Sequence, residues 1–167
     1  MVTMQEWCDN QINKWPHIPI NRDILEFIYR INSHSNTPEG SDAIESLFSA
    51  GYCYYFALML KENFEGRIIW LKNRSHIIFM DENEVAYDNW GLYLEYLEEE
   101  VLPVEILGEA LELFKHGKEY SWSKKKIREV QLELQKRINA YETEHGHRIT
   151  NFYNSWYEKN PIPDEEE

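Results

Sequence analysis

The sequence predicts an α+β fold in which a helix packs on a small antiparallel sheet of about three strands. Three patterns predict it: apolar residues at helical spacing over 53–64, three short apolar runs separated by turn residues over 66–88, and helical spacing again over 122–143. The length of 167 residues suits one domain with one core. We expect that domain to cover residues 1–160, with a helical C-terminal extension from about 92 to 160, and residues 161–167 to be an acidic tail.

The first predicted helix spans about residues 22–32. Asn21 is suited to cap it, because its side chain can accept a hydrogen bond from an N–H of the first turn. Four apolar residues repeat there at helical spacing: Ile24, Phe27, Ile28 and Ile31. Residues 1–20 contain prolines and tryptophans, so we expect an arm that Trp7 and Trp15 hold against the domain. The polar stretch 33–42 is predicted to be a loop ahead of a short helix.

Beyond residue 91 the pattern is helical. A helix is predicted over 92–102, Pro103 interrupts it, and the pattern resumes over 104–114. The longest predicted helix, over 122–143, has a narrow apolar stripe: Ile127, Val130, Leu134, Ile138 and Tyr141. This stripe fits either packing on the parent domain or a homodimer seam. It spans too few heptads for a coiled coil, so packing on the parent domain is favoured.

The net charge of −13 comes from 30 acidic and 17 basic residues, and it disfavours nucleic acid and anionic lipid as partners because like charges repel. The same charge favours a neutral or basic substrate. Neither a signal-peptide pattern nor an apolar run long enough to cross a bilayer is present, which predicts a cytoplasmic protein without membrane contact. The two cysteines, Cys8 and Cys53, are too few for a disulfide framework, so both are expected to be free thiols.

Cys53 is predicted to open the helix over 53–64, two residues after Gly51. The N-terminus of a helix offers unpaired N–H groups and the positive end of the helix dipole, and both stabilise a thiolate over a thiol. The same N–H groups suit half of an oxyanion hole, and Gly51 would let a substrate backbone approach. A free cysteine is more often a small buried hydrophobe, so this position alone does not establish a reactive thiol.

A histidine and an aspartate meet in the hairpin predicted for the next two strands. His76 begins one strand and Asp88 ends the other, and a three-residue loop, Asp81–Asn83, with its last residue in the left-handed conformation fits the spacing. In that register Met80 pairs with Glu84, and His76 lies directly opposite Asp88 on the same face. The carboxylate would accept the imidazole N–H and orient the ring. The alternative is an ordinary polar pair facing solvent, and a two-residue loop would separate the two side chains.

Taken in order, these residues resemble the papain-like cysteine peptidase superfamily. The motifs are GYCYYFA at the head of a helix, the histidine of SHIIF at the start of a strand, and the aspartate of YDNWG at the end of the next strand. The compact bacterial NlpC-type, transglutaminase-like and staphopain-like branches are the most similar, over about a quarter of the chain. The resemblance implies that Cys53 is the nucleophile, His76 the general base and acid, and Asp88 the orienting residue. It also matches Trp90 to the aromatic residue that often follows the third member.

The sequence departs from the family pattern at the oxyanion hole. The papain branch supplies a glutamine shortly before the cysteine, whereas this stretch reads ESLFSAGY. Either Ser46, Ser49 or Asn36 substitutes for it, or the hole consists of backbone alone. The candidates for substrate or oxyanion contacts are Gly51, Ser49, Asn89 and Trp90. The cysteine and histidine are 23 positions apart, closer than in papain itself, which indicates a minimal, divergent member.

The resemblance implies a cysteine-dependent hydrolase, a peptidase or amidase, that acts on a protein or peptide through an acyl-enzyme. Two alternatives stay open: an acyltransferase, transglutaminase or deamidase with the same triad, and a non-catalytic interaction module that retains the fold. No cofactor is expected. No metal site is expected either, because His145 and His147 flank a turn glycine with no cysteine pair nearby.

Overall fold

The computed structural model describes residues 2–32, 44, 48, 52–71, 76–94, 101–103, 123–146 and 156–158. The elements with described bounds are, in chain order, α1 Met4–Lys14, α2 Arg22–Asn32, α3 Cys53–Asn63, β1 Gly66–Leu71, β2 His76–Asp81, β3 Ala86–Asp88, β4 Gly91–Leu92, β5 Val101–Pro103 and α4 Lys124–His145. Helices combine with one antiparallel sheet, so the predicted α+β class is confirmed.

The sheet has five strands in the order β4-β3-β2-β1-β5, each antiparallel to its neighbours. The prediction of about three strands was therefore too low. The helix predicted over 92–102 was also wrong at both of its described ends, because Leu92 belongs to β4 and Val101 and Leu102 to β5. At the second end, pairing of β5 with β1 outweighs the local helical pattern. Pro103 is tolerated because β5 is an edge strand of the described sheet.

The β2–β3 hairpin has a three-residue loop, but the loop is Glu82–Glu84 rather than Asp81–Asn83. Strand pairing joins Phe79 to Tyr87 and Met80 to Ala86, so the predicted pair of Met80 with Glu84 was wrong by two residues. His76 consequently does not lie directly opposite Asp88. A shift of two residues nevertheless preserves which face each side chain occupies, and the two remain diagonal neighbours on one face.

The Asp81 side chain accounts for the observed loop. Its Oδ1 accepts hydrogen bonds from the N–H groups of Asn83 at 2.9 Å and Val85 at 3.0 Å, and its backbone carbonyl accepts the Glu84 N–H at 3.1 Å. Its Oδ2 accepts the Tyr87 hydroxyl at 3.3 Å. With the turn tied to Asp81 in this way, Glu84 takes the left-handed conformation predicted for Asn83, at a φ of 62°.

The strained backbone at Glu84 gives a stability prediction. We expect Glu84→Gly to be more stable than Glu84→Ala by about 1 kcal/mol in urea unfolding, because only glycine adopts this conformation without a Cβ clash. Both variants lose the ion pair with Arg67, so that contact cancels in the comparison. The same two substitutions at Glu82, which has no positive φ, serve as the control and should show the opposite order. An alanine at 84 as stable as glycine would contradict the loop assignment.

Helix α3 packs mainly on β2, with smaller contacts to β1 and β3. Side chains from one face of the hairpin and β1 enter the same core cluster as α3: Ile68, Ile77, Phe79, Val85 and Tyr87. The opposite face is buried as well, through Ile69, Leu71, Ile78, Met80 and Ala86. The sheet is thus covered on both faces, and a charged pair within it needs internal partners.

Helix α4 packs on the rest of its own chain. Four of the five stripe residues are buried: Val130, Leu134, Ile138 and Tyr141. The Tyr141 ring contacts Phe27 of α2 edge-on, with ring centroids 4.7 Å apart. Packing on the parent domain, the favoured alternative, accounts for this stripe, and a homodimer through 122–143 has no support from it.

The N-terminal arm is helical over most of its length. Thr3 caps α1 by accepting the Glu6 N–H at 3.1 Å, a signal that the sequence analysis did not use. The predicted cap of α2 is confirmed, because the Asn21 Oδ1 accepts the Asp23 N–H at 2.9 Å. The Asn21 N–H in turn donates to the Tyr87 hydroxyl at 2.9 Å, which ties the start of α2 to β3.

The predicted loop 33–42, the helix over 104–114 and the tail 161–167 lie outside the described residues. Ile44 and Phe48, of the predicted short helix, are helical and buried. Within the described ranges, no helix combines the length and apolar character that a membrane span requires.

Candidate active site

The three residues of the predicted triad lie at the ends of their elements. Cys53 is the first residue of α3, His76 the first of β2 and Asp88 the last of β3. Tyr52, at the N-cap of α3, makes no side-chain capping bond, and the first turn has no acidic residue. The positive end of the α3 dipole is therefore not neutralised by its own helix, which favours negative charge at Cys53.

His76 and Asp88 form a hydrogen-bonded pair. The His76 Nε2 lies 3.0 Å from the Asp88 Oδ2, and their side chains are only 23% and 10% exposed. The other carboxylate oxygen, Oδ1, accepts the backbone N–H of Trp90 at 2.8 Å. Both oxygens of Asp88 are thus engaged, and the carboxylate is held in one orientation toward the imidazole.

Cys53 is the second group that acts on the His76 ring, because its side chain contributes to the raised pKa of the imidazole. Only 7% of Cys53 is exposed. The imidazole is therefore influenced by a hydrogen-bonded carboxylate and by a buried thiol.

These two partners change the acidity of His76. Burial lowers the pKa of the imidazole, but the hydrogen bonds with Asp88 and Cys53 more than offset this and raise the pKa from 6.5 to about 9. At neutral pH the ring is consequently a cation.

The other predicted contact residues have different surroundings. Trp90 is 54% exposed and follows Asp88 by two residues, so its ring is available at the surface. Asn89 is buried, and its backbone carbonyl accepts a hydrogen bond from the Asn32 side chain. Ser46, Ser49, Gly51 and Asn36 lie outside the described residues.

Two residues that were not predicted from the sequence shape this site. The ring of Tyr93 packs on the His76 ring, with centroids 5.3 Å apart at an angle of 50°. Asn32, fully buried at the end of α2, donates its Nδ2 to the Asn89 carbonyl and so fixes the turn that follows Asp88. Asn32 could have been recognised as a polar residue at the end of the apolar face of α2. No sequence pattern indicated the role of Tyr93.

The second cysteine, Cys8, lies in surroundings that disfavour a reactive thiol. Cys8 is fully buried in α1, and burial raises the pKa of its thiol to about 11. Both cysteines are free thiols, as predicted. Across the described ranges there is no group of three or more His, Cys, Asp or Glu side chains arranged to hold a metal ion.

No protein-family model matches the chain, and no match was found among the curated proteins or the solved structures.

Proposed function

We propose that this protein is a cysteine-dependent hydrolase, a peptidase or amidase with a papain-like triad. The observation that carries the proposal is His76, whose ring is hydrogen-bonded to the Asp88 carboxylate and whose pKa is raised by both Asp88 and Cys53. In this arrangement Cys53 is the nucleophile, His76 moves the proton and Asp88 orients the ring.

The reaction begins from the thiolate–imidazolium pair. The Cys53 sulfur attacks the carbonyl carbon of an amide, a C–S bond forms, and the carbonyl oxygen becomes an oxyanion. As the C–N bond breaks, His76 gives its proton to the leaving amine, and a thioester remains on Cys53. His76, now neutral, takes a proton from water, the resulting hydroxide attacks the thioester, and the carboxylic acid leaves as the thiolate–imidazolium pair is restored.

The backbone of Cys53 supports this assignment. Its N–H is at the first position of α3, where no intrahelical acceptor exists, and no hydrogen bond to it is found among the described residues. An N–H on the nucleophile itself lies close to the oxyanion that forms there, and such a donor contributes about 3 kcal/mol to transition-state stabilisation in related chemistry. This donor provides one half of a backbone oxyanion hole.

The exposed Trp90 ring is the proposed contact for the substrate chain. It is one of two large apolar side chains exposed among the described residues, and its N–H anchors Asp88. A half-exposed ring on the residue whose N–H holds Asp88 offers apolar area to a substrate chain.

Alkylation of Cys53 at pH 6 tests the proposed function. We expect iodoacetamide to label Cys53 about 30-fold faster than an unstructured cysteine, since an ordinary thiol is almost fully protonated at that pH. Cys8 provides the control within the same molecule: it is fully buried, its pKa is raised to about 11, and it should stay unlabelled until the protein unfolds. Peptide mapping by mass spectrometry separates the two sites. Labelling of Cys53 no faster than that of an unstructured cysteine would favour the non-catalytic interaction module.

Acyl transfer is the second candidate, and the low exposure of Cys53 favours it. Cys53 as a residue is only 7% exposed, so a thioester at this position is shielded from bulk water, and this gives an amine acceptor time to react. Adding a primary amine to the reaction distinguishes the two functions. Hydrolysis yields the free acid at a rate independent of the amine, whereas transfer yields an amide in proportion to the amine concentration.

A further inference from the structure

We infer that the groove beside strand β4 binds an extended peptide segment with a large apolar side chain, as an additional strand of the sheet. This inference rests on the proposed function, because it assigns the substrate class of the same site. The groove has a volume of about 460 Å³ and lies between the C-terminal half of α1 and residues 92–94.

The groove adjoins the candidate active site through one side chain. Tyr93 is one of its lining residues, and the same ring packs on His76 at 5.3 Å. A chain that occupies the groove therefore ends one aromatic ring away from the imidazole. This contact makes the groove a subsite of the proposed enzyme rather than a separate cavity.

Strand β4 has an open edge toward the groove. It is the last strand on its side of the described sheet. The Tyr93 N–H donates to the Ala86 carbonyl at 2.8 Å, and the two-residue turn after Asp88 makes Asp88 and Gly91 the next hydrogen-bonded pair. Since hydrogen-bonding direction alternates along an antiparallel strand, the N–H and C=O of Leu92 point away from β3. Neither Leu92 nor Leu94 makes another backbone bond within the described residues, and an added strand would pair with these outward-facing groups.

The lining chemistry fits a peptide. Trp15, Leu92, Tyr93 and Leu94 supply apolar area for one large side chain. The polar rim consists of Asn10, Gln11 and Lys14, whose amide and ammonium groups can donate to peptide carbonyls. None of the described lining residues is acidic, although the protein as a whole carries a charge of −13.

Haloacetyl peptides test the inference, because the Cys53 sulfur displaces chloride from their CH₂ carbon and forms a stable C–S bond. Two series are needed, chloroacetyl peptides and peptidyl chloromethyl ketones, since they extend from the sulfur in opposite chain directions. In each, a single leucine is moved along an alanine background. We expect one leucine position in one series to increase the labelling rate about fivefold or more.

The variants assign that effect to the groove. Leu94→Ser should abolish the preference for leucine and leave the iodoacetamide rate unchanged, whereas Leu132→Ser, at a leucine of α4 that is 39% exposed, should alter neither. N-methylation of successive peptide amides should slow labelling at alternate positions only, because every second N–H faces a pairing strand.

The outcomes separate the two proposals. If iodoacetamide labels Cys53 rapidly but no leucine position matters, or Leu94→Ser leaves the preference intact, the groove is not the subsite and the thiol site stands. If one leucine position increases the labelling rate but N-methylation does not slow labelling at alternate positions, the peptide does not bind as an added strand. If Cys53 reacts no faster than an unstructured thiol, both proposals fail together.

Discussion

Replacing His76 by glutamine will lower the rate of Cys53 alkylation by iodoacetamide at pH 6 about 100-fold. Glutamine keeps a hydrogen-bonding group near Asp88 but carries no positive charge. Without the imidazolium, a thiolate at a site that is 7% exposed has only the helix N-terminus to stabilise it, and the thiol form dominates. Any hydrolytic or transfer activity should fall at least as far, because proton transfer to the leaving group also disappears.

The control for this experiment is His17→Gln. His17 is exposed and contacts Trp15 edge-on, far along the chain from the triad. Both variants should retain the circular dichroism of the wild type, which separates loss of reactivity from loss of fold. If Cys53 of the His76→Gln protein is alkylated at the wild-type rate, the imidazole does not contribute to the reactivity of the sulfur, and the triad assignment would fail.

The second large effect concerns Asp88. We expect Asp88→Asn to lower the pKa of His76 by about one to three pH units, because the carboxylate is the strongest of the contacts that raise it to about 9. Cys53→Ser should lower the pKa by less. NMR titration of the His76 ring measures both values directly. Glu82→Gln removes the same charge from an exposed loop position and should leave the titration unchanged.

The same substitution changes stability in a pH-dependent way. A pKa that is higher in the folded protein than in the unfolded chain stabilises the fold fully below about pH 6.5, and the gain disappears as pH rises through the folded pKa. We therefore expect Asp88→Asn to cost about 1–3 kcal/mol at pH 6 and progressively less toward pH 9.5. Urea unfolding in a Cys53→Ser background measures this in the absence of a thiol at the site. A cost that grows toward high pH would contradict the proposed charge on His76.

Local sequence patterns correctly predicted the helices and strand ends that are determined by the residues within those elements. Asn21 marked the start of α2, and the apolar spacing after Cys53 marked α3. The strand ends at His76 and Asp88 were also correct. The residues around Val101 were not, because their strand depends on β1, which lies some thirty positions earlier in the chain.

The contact between His76 and Asp88 was predicted, but from a loop register that is wrong by two residues. The expected loop placed His76 directly opposite Asp88, whereas the real loop moves the pairing by two residues. The contact survives because a two-residue shift preserves the face, and a histidine side chain reaches a diagonal neighbour. The contact of Tyr93 with His76 joins the residue after β4 to the start of β2 and could not be predicted from the spacing of residues.

The two edges of the sheet differ in their capacity for self-association. At one edge, β5 ends with Pro103, which has no N–H to donate and so discourages edge-to-edge aggregation. At the other edge, β4 contains no proline and is only two residues long, too short to template a second copy of the sheet. Within the described strands, one edge of the sheet therefore ends in proline, and the other is a short edge that suits pairing with a peptide better than pairing with a second copy of the sheet.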